Sequence, residues 1–288
     1  MFQPDLLSGK VILITGGGTG LGRAMGERFL SLGAKLAIAG RRENVLREAA
    51  AAMSAGGGEV LPVACDVRDP ERVRGMADAV WDHYGHLDVL VNNAAGNFAS
   101  PTERLSHRAV DAVLNIVLHG TFYCTLEVGK RWLEAGVGGV MLNIVATYAS
   151  SGAGSAYVVP SAAAKAGVLA LTRSLAVEWG PRGIRQVAIA PGPFPTPGAW
   201  QRLVPSLEGA LRGEETVPLG RFGEHSELAN LASFLISDHA GYINGEVVTI
   251  DGGEWLQGAG QFSHLRNLRP DQWDEMARQA RGGKPATE

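Results

Sequence analysis

Short apolar runs, closed by small or polar residues, recur along the chain. Val11–Ile14 is continuously apolar, as a parallel strand buried on both faces must be. Lys35–Ala39, Val60–Cys65, Leu87–Val91, Val187–Ala190 and Glu246–Ile250 read the same way. Between them lie stretches with helical spacing. One runs through Phe29 and Leu30, an alanine-rich one runs from Glu43 to Met53, another starts at Pro70, and one carries Ser161 and Lys165. Strands and helices alternating in this way predict an α/β protein. It should be a single-domain, Rossmann-type, doubly wound parallel sheet flanked by helices, with its site outside the carboxyl ends of the strands.

Those carboxyl ends carry the candidate chemistry. After the first strand comes Thr15-Gly-Gly-Gly-Thr-Gly-Leu-Gly22 and then a helix. In that context glycines let the backbone approach a pyrophosphate, and the helix start offers it free N–H groups. Gly16, Gly17, Gly18, Thr19, Gly20 and Leu21 are therefore candidate dinucleotide contacts. The second strand ends in Gly40-Arg41-Arg42. An acidic residue there would bind a ribose 2′-hydroxyl, whereas arginine suits a 2′-phosphate, so Arg41 points to NADP(H) over NAD(H). The alternative is a pair of exposed arginines at a helix start. Asp66, closing the third strand, is placed to accept from the adenine amino group. Arg68 at the same rim can meet an anionic substrate, and either residue could instead cap the helix from Pro70. Small residues at Asn92–Gly96 leave room for the cofactor across the strand ends, with Asn93 a contact. The loop Pro191, Gly192, Pro193 and Phe194 is expected to wrap the nicotinamide.

The stretch Ala146–Gly167 holds the candidate catalytic groups. Ser161 and Lys165 are one helical turn apart and share a face. A lysine there can hold a ribose and bias a nearby proton donor. The obvious donor would be a tyrosine at 161, but that position is serine, so Tyr148 and Tyr157 upstream are the candidates.

Composition narrows the classes. The chain has 288 residues, 45% of them hydrophobic and 19% charged, an ordinary globular balance. Net charge is −3 with no long basic run, which argues against a nucleic-acid or membrane partner. Cys65 and Cys124 cannot make a disulfide framework, and a reducing compartment fits them. No apolar run approaches the ~20 residues of a spanning helix. The first ten residues resemble no signal peptide, so a cytoplasmic location is expected. No metal site is expected.

These segments together resemble the short-chain dehydrogenase/reductase superfamily. The carriers are Thr15–Gly22, Asp66, Asn92–Gly96, Asn115, Lys165, Pro191-Gly192 and Asp251-Gly-Gly253. Within it the chain is most similar to the mitochondrial-type 2,4-dienoyl-CoA reductases. That similarity rests on Cys65–Pro70, Asn92–Phe98, Ser100–Ser106 and Val158–Gly167, and on Phe262, Leu265-Arg266 and Gln272–Asp274 in the tail. Two departures from the general superfamily are Ser161 in place of the tyrosine and Ala146 in place of the usual serine. The dienoyl-CoA reductases share the serine at the first position and take their tyrosine from just after the fifth strand, where Tyr148 stands. The loop between Tyr148 and Val158 is two residues longer than expected for them, which keeps Tyr157 open as donor.

The resemblance implies an NADPH-dependent reduction of 2,4-dienoyl-CoA to enoyl-CoA, in unsaturated fatty-acid oxidation, by a homotetramer acting on acyl-CoA. Asn97 and Tyr148 would hold the thioester and an ordered water. Lys165 would hold the nicotinamide ribose and favour the tyrosinate, and Asn115 would have a structural role. Phe98, Ser106, Ser161, Arg68 and Arg202 match acyl-CoA contacts, with Arg221 a weaker candidate for the coenzyme A phosphates. Thr196–Gly213 is expected to cover the substrate. Residues 1–260 form the reductase domain, and 261–288 an extension that packs on the domain or a neighbouring subunit, with Trp273 and Met276 on one helical edge. Two other readings remain. One is a carbonyl reductase of the same fold acting on a 3-ketoacyl group, and the other a non-catalytic sensor of NADP(H).

Overall fold

The computed structural model describes residues 3–150, 155–196, 214–259, 265 and 267–280. Seven parallel strands form one sheet in the order β3-β2-β1-β4-β5-β6-β7. They are β1 Val11–Thr15, β2 Lys35–Gly40, β3 Val60–Ala64, β4 Val89–Asn92, β5 Gly139–Ile144, β6 Ile184–Pro191 and β7 Val247–Ile250. The helices are α1 Gly20–Ser31, α2 Glu43–Ser54, α3 Pro70–Tyr84, α4 His107–Leu114, α5 Gly120–Ala135, α6 Thr147–Ser150, α7 Val159–Trp179, α8 His225–Ile236, α9 Glu254–Ala259 and α10 Pro270–Ala280.

Each central strand is apolar throughout because both of its faces are covered. Ile12 and Ile14 of β1, Leu36 and Ile38 of β2, and Val89 and Val91 of β4 face one core, with Phe29 of α1, Leu46 of α2 and Leu228 of α8. Val11, Leu13, Ala37, Ala39 and Leu90 alternate to the other core, with Met76 of α3, Trp132 of α5 and Trp179 of α7. The strand order reverses between β1 and β4, which opens a crevice above their carboxyl ends.

The expected strands are present, with shifted ends. β4 begins at Val89, and the two residues before it also brace the neighbouring elements. The Asp88 carboxylate accepts the Val11 N–H at 2.8 Å, and the Leu87 carbonyl accepts the Trp132 indole at 2.6 Å. The cap of α3 is neither Asp66 nor Arg68. Asp69 accepts from the Glu71 and Arg72 N–H groups at 3.0 and 3.4 Å, immediately before Pro70.

The connection after β4 differs most from expectation. α4 and α5 are joined by a π-helical turn, Asn115–His119, into one helix, His107–Ala135. By length and composition alone that helix is apolar enough to cross a membrane. Asn115, His119 and the threonines break its apolar residues into short runs, so no single run stands out in the sequence. Here Cys124, Val128 and Trp132 press its α5 part onto the sheet. On α10, Trp273 and Met276 remain exposed and do not pack into the core.

Candidate active site

The turn from β1 into α1 fits the phosphate bridge of a dinucleotide. Gly16 has φ of 69°, which favours glycine, and its added Cβ would lie 2.9 Å from the Asn93 amide nitrogen. A Cβ on Gly22 would strike the Gly16 carbonyl and stand 2.6 Å from the same nitrogen, so the helix can lie this close to the turn only without a side chain. Among the described residues no side-chain cap closes α1 at Thr19, and the first N–H groups of the helix suit an anion. Gly17 and Gly18 are buried beneath the turn, and Gly20 and Leu21 are half-buried. Asn93 acts from below: its side-chain amide donates to the Thr15 and Gly16 carbonyls at 2.9 and 3.3 Å, and its backbone N–H to the Thr15 hydroxyl at 3.0 Å. It therefore ties the β4 loop to the glycine turn.

At the β2–β3 rim, Arg41 is exposed. Asp66 and Arg68 engage each other. The Arg68 Nε donates to both carboxylate oxygens, at 2.9 and 3.0 Å, and one Nη to Oδ2 at 2.5 Å. That hydrogen bonding, outweighing a small desolvation and helped by the Arg41 charge, holds the Asp66 carboxyl below its usual range. The two rim groups singled out for different ligands are thus each other's partners.

Beyond β4 the chain turns over the crevice. The Asn97 Oδ1 accepts the Phe98 N–H at 2.9 Å, and the Asn97 side-chain NH₂ makes no hydrogen bond among the described residues. Phe98, the next residue, packs against the cluster of Val113, Val117 and Ala164. Ser106 is the N-cap of α4, accepting from the Ala109 N–H at 3.2 Å, so its hydroxyl already serves the helix.

Tyr148 sits on α6, directly after β5. Its hydroxyl lies 3.0 Å from the Ser161 hydroxyl. Ser161 is buried, with 2% of its surface exposed. Tyr157 is placed otherwise: its φ is 65° and its side chain is 63% exposed. What Tyr157 supplies to the structure is its carbonyl, which accepts the Ser100 N–H at 2.8 Å. Of the two candidate donors, only Tyr148 stands beside Ser161.

Lys165 is buried, and its ammonium donates to the Ile144 carbonyl at the end of β5. Burial alone brings its pKa down to about 8. The expected push of this lysine on the tyrosine toward tyrosinate is not seen in the fold. Burial raises the Tyr148 pKa above its ordinary value, and the Ser161 hydrogen bond offsets only part of that. The phenol is therefore kept protonated, able to donate.

Sequence reasoning missed the polar layer beneath these groups. Asn92 and Asn143 lie opposite each other in the β4–β5 register. The Asn92 amide donates to the Asn143 Oδ1 at 2.9 Å and the Thr125 hydroxyl at 3.1 Å, and the Asn143 amide to the Thr172 hydroxyl at 2.9 Å. Thr172 and Val168 continue the stripe of α7 that holds Ser161 and Lys165, so this buried chain fixes the rotation of the helix against the sheet. A signal existed in the spacing of Ser161, Lys165 and Thr172. Its partners follow only from strand register.

Pro191, the last residue of β6, and the following Gly192 and Pro193 are half-buried, and Phe194 is buried in the core. Thr196 comes to lie over the glycine turn, its methyl 3.2 Å from where a Gly20 Cβ would be. The Arg221 guanidinium donates to the Glu227 carboxylate through two bonds, at 2.8 and 2.6 Å. Arg202 lies outside the described residues, as does Thr196–Gly213 beyond Thr196.

Known proteins resemble this chain over most of its length. Residues 16–254 match a family described as enoyl-(acyl carrier protein) reductase. A Bacillus subtilis (strain 168) protein named as a probable 2,4-dienoyl-CoA reductase, (2E)-enoyl-CoA-producing, is 46% identical over 249 residues, covering 86% of this chain and 97% of its own. A Caenorhabditis elegans protein named as probable 2,4-dienoyl-CoA reductase 3, (3E)-enoyl-CoA-producing, is 43% identical over 288 residues, covering 98% and 93%. The crystal structure of a short chain dehydrogenase from Bacillus anthracis str. 'Ames Ancestor' superposes with a TM-score of 0.80 at 45% identity, covering 88% of this chain and 98% of that one.

Proposed function

The chain belongs to the short-chain dehydrogenase/reductase family and is an oxidoreductase, and from that premise we propose that it reduces 2,4-dienoyl-CoA thioesters to enoyl-CoA with NADPH. The observation that carries this reading is the 3.0 Å approach of the Tyr148 hydroxyl to Ser161. A tyrosine delivered from the β5 end, with serine on the lysine helix, is the arrangement that sets the dienoyl-CoA reductases apart from other members. Relatives named for that activity support it.

NADPH supplies a hydride to the distal end of the diene. The chain's residues handle the charge that results. As negative charge builds on the thioester oxygen, the Asn97 amide and the protonated Tyr148 hydroxyl donate hydrogen bonds where it develops. Tyr148, with its hydroxyl held by Ser161, then passes a proton through water toward the α carbon. Lys165, braced by the Ile144 carbonyl, orients the ribose. The glycine turn and the open α1 start take the pyrophosphate, and exposed Arg41 suits the 2′-phosphate. Phe98 and Arg68 offer an apolar wall and a cation to the acyl-CoA.

The test follows NADPH consumption with 2,4-hexadienoyl-CoA, beside acetoacetyl-CoA and with NADH in place of NADPH. Rapid turnover with NADPH and the dienoyl thioester alone is expected. Turnover of acetoacetyl-CoA alone would replace this reading by a carbonyl reductase, and binding of NADPH with turnover of neither by a sensor. Characterising the product as a 2-enoyl or 3-enoyl thioester fixes the site of protonation.

A further inference from the structure

The stretch that ends β6 and leads out of it reads Pro191-Gly-Pro-Phe-Pro195. Three of its residues have no N–H, so carbonyls are most of what its backbone can offer. Outside groups hold it at successive residues. The Gly192 N–H donates to the Ile250 carbonyl of β7 at 2.9 Å. The Pro193 carbonyl accepts the Gly223 N–H at 3.1 Å. Phe194 turns the opposite way, into the core. The Pro195 carbonyl then accepts the His225 Nε2–H at 2.8 Å. Because a carbonyl can only accept, Nε2 must carry a proton, whatever the state of Nδ1.

The donors stand on a stiff base. His225 is the first residue of α8, whose start is closed by a reciprocal capping box between Glu224 and Glu227. Glu227 accepts the Glu224 N–H at 2.9 Å as well as the Arg221 fork, and its carboxyl is brought down to about 2, first by Arg221. Leu228, Ala229 and Ala232 bury the helix behind it. The imidazole therefore reaches from a fixed helix start to the last proline before Thr196, which lies over the glycine turn.

We propose that His225 is a positioning residue for the nicotinamide end of the cofactor: its Nε2–H fixes the Pro195 carbonyl, and with it the 193–196 loop that closes that end of the site. This rests on the reading that the loop wraps the nicotinamide. The adenosine end would instead be held by the β2–β3 rim, where Arg41 is exposed. Losing the imidazole leaves the Pro195 carbonyl without its donor and frees the end of the loop, while the capping box and Arg221–Glu227 pair remain.

The experiment uses the full chain with His225→Ala and His225→Gln. Affinities are measured by calorimetry for NADPH and for 2′,5′-ADP, which lacks the nicotinamide half, together with each variant's thermal midpoint. His225→Ala should weaken NADPH roughly five- to tenfold, the worth of one hydrogen bond, and leave 2′,5′-ADP within about twofold. His225→Gln, whose amide nitrogen can replace Nε2, should recover most of the loss. An unchanged ratio of the two affinities in His225→Ala overturns the proposal. So does an equal loss for both ligands with a lowered midpoint and no rescue by glutamine. Since the readout is binding, a failure to reduce dienoyl thioesters would remove the proposed reaction without touching this result, and the reverse also holds.

Discussion

At the β2–β3 edge of the sheet, Arg41 stands in solvent, and Asp66 and Arg68 satisfy each other. At the other edge of the site, beside the carboxyl end of the interior strand β5, Ser161 and Lys165 are shut away from water, Tyr148 is half-buried, and each is held by a specific partner. Both edges carry candidate functional side chains, but the physics differs. An exposed ion pair is worth little, about 0–1 kcal/mol, so Asp66 and Arg68 can exchange each other for a ligand at small cost. A buried lysine or hydroxyl has no such freedom, because losing its partner leaves a desolvated polar group. The first edge can therefore sort ligands without endangering the fold. The second ties its chemistry to its packing.

The contrast is tested most strongly at the buried edge. Tyr148→Phe keeps the ring and removes the hydroxyl, so turnover of 2,4-hexadienoyl-CoA should fall about 10²- to 10⁴-fold while NADPH affinity holds. Tyr157→Phe, altered in solvent, should change turnover by less than about twofold. Equal losses from the two in steady-state assays would show that burial beside Ser161 does not select the donor.

The next effect is on stability. The folded Lys165 pKa of about 8 lies below its ordinary 10.5. Between those values the unfolded chain keeps a proton that the folded chain has lost, so stability rises with pH across that window. Wild type should gain up to about 3 kcal/mol relative to Lys165→Met as pH is raised from 7 toward 10.5. Urea unfolding at both ends of the range measures this, and a difference independent of pH would mean that Lys165 is solvated.

The smallest effect belongs to the exposed edge. Arg41→Glu should shift the preference between NADPH and NADH by roughly 10- to 100-fold, the worth of a charge-assisted hydrogen bond, with the thermal midpoint unchanged. A midpoint that fell with the preference would show that the two edges are not separate in kind.

How much of this was legible in the sequence follows the same division. The glycine turn was legible because its chemistry is local: Thr15–Gly22 carries strand end, turn and helix start in consecutive residues. The strands were legible because burial on both faces forces uninterrupted apolar runs such as Val11–Ile14. Their ends were not, because where a strand such as β4 begins is set by its pairing with the strands on either side. The helix His107–Ala135 was hidden by polar residues that its length averages out. Tyr148 and Tyr157 could not be separated along the chain, since a loop lengthened by two residues removes any fixed offset to Ser161.

The sequence by itself determined the alternation of strands and helices, the phosphate-binding turn, the arginine at the end of β2 and the shared face of Ser161 and Lys165. Each is set by residues close together in the chain, through periodicity, backbone freedom or the sign of a charge. Only the tertiary structure decided that Tyr148 and not Tyr157 meets Ser161, that Asp66 and Arg68 occupy each other, that Asn92 and Asn143 pair, and that His225 holds Pro195. Those contacts join residues from different elements, and the distance between two side chains on different elements is set by sheet register and helix packing, which no local pattern encodes.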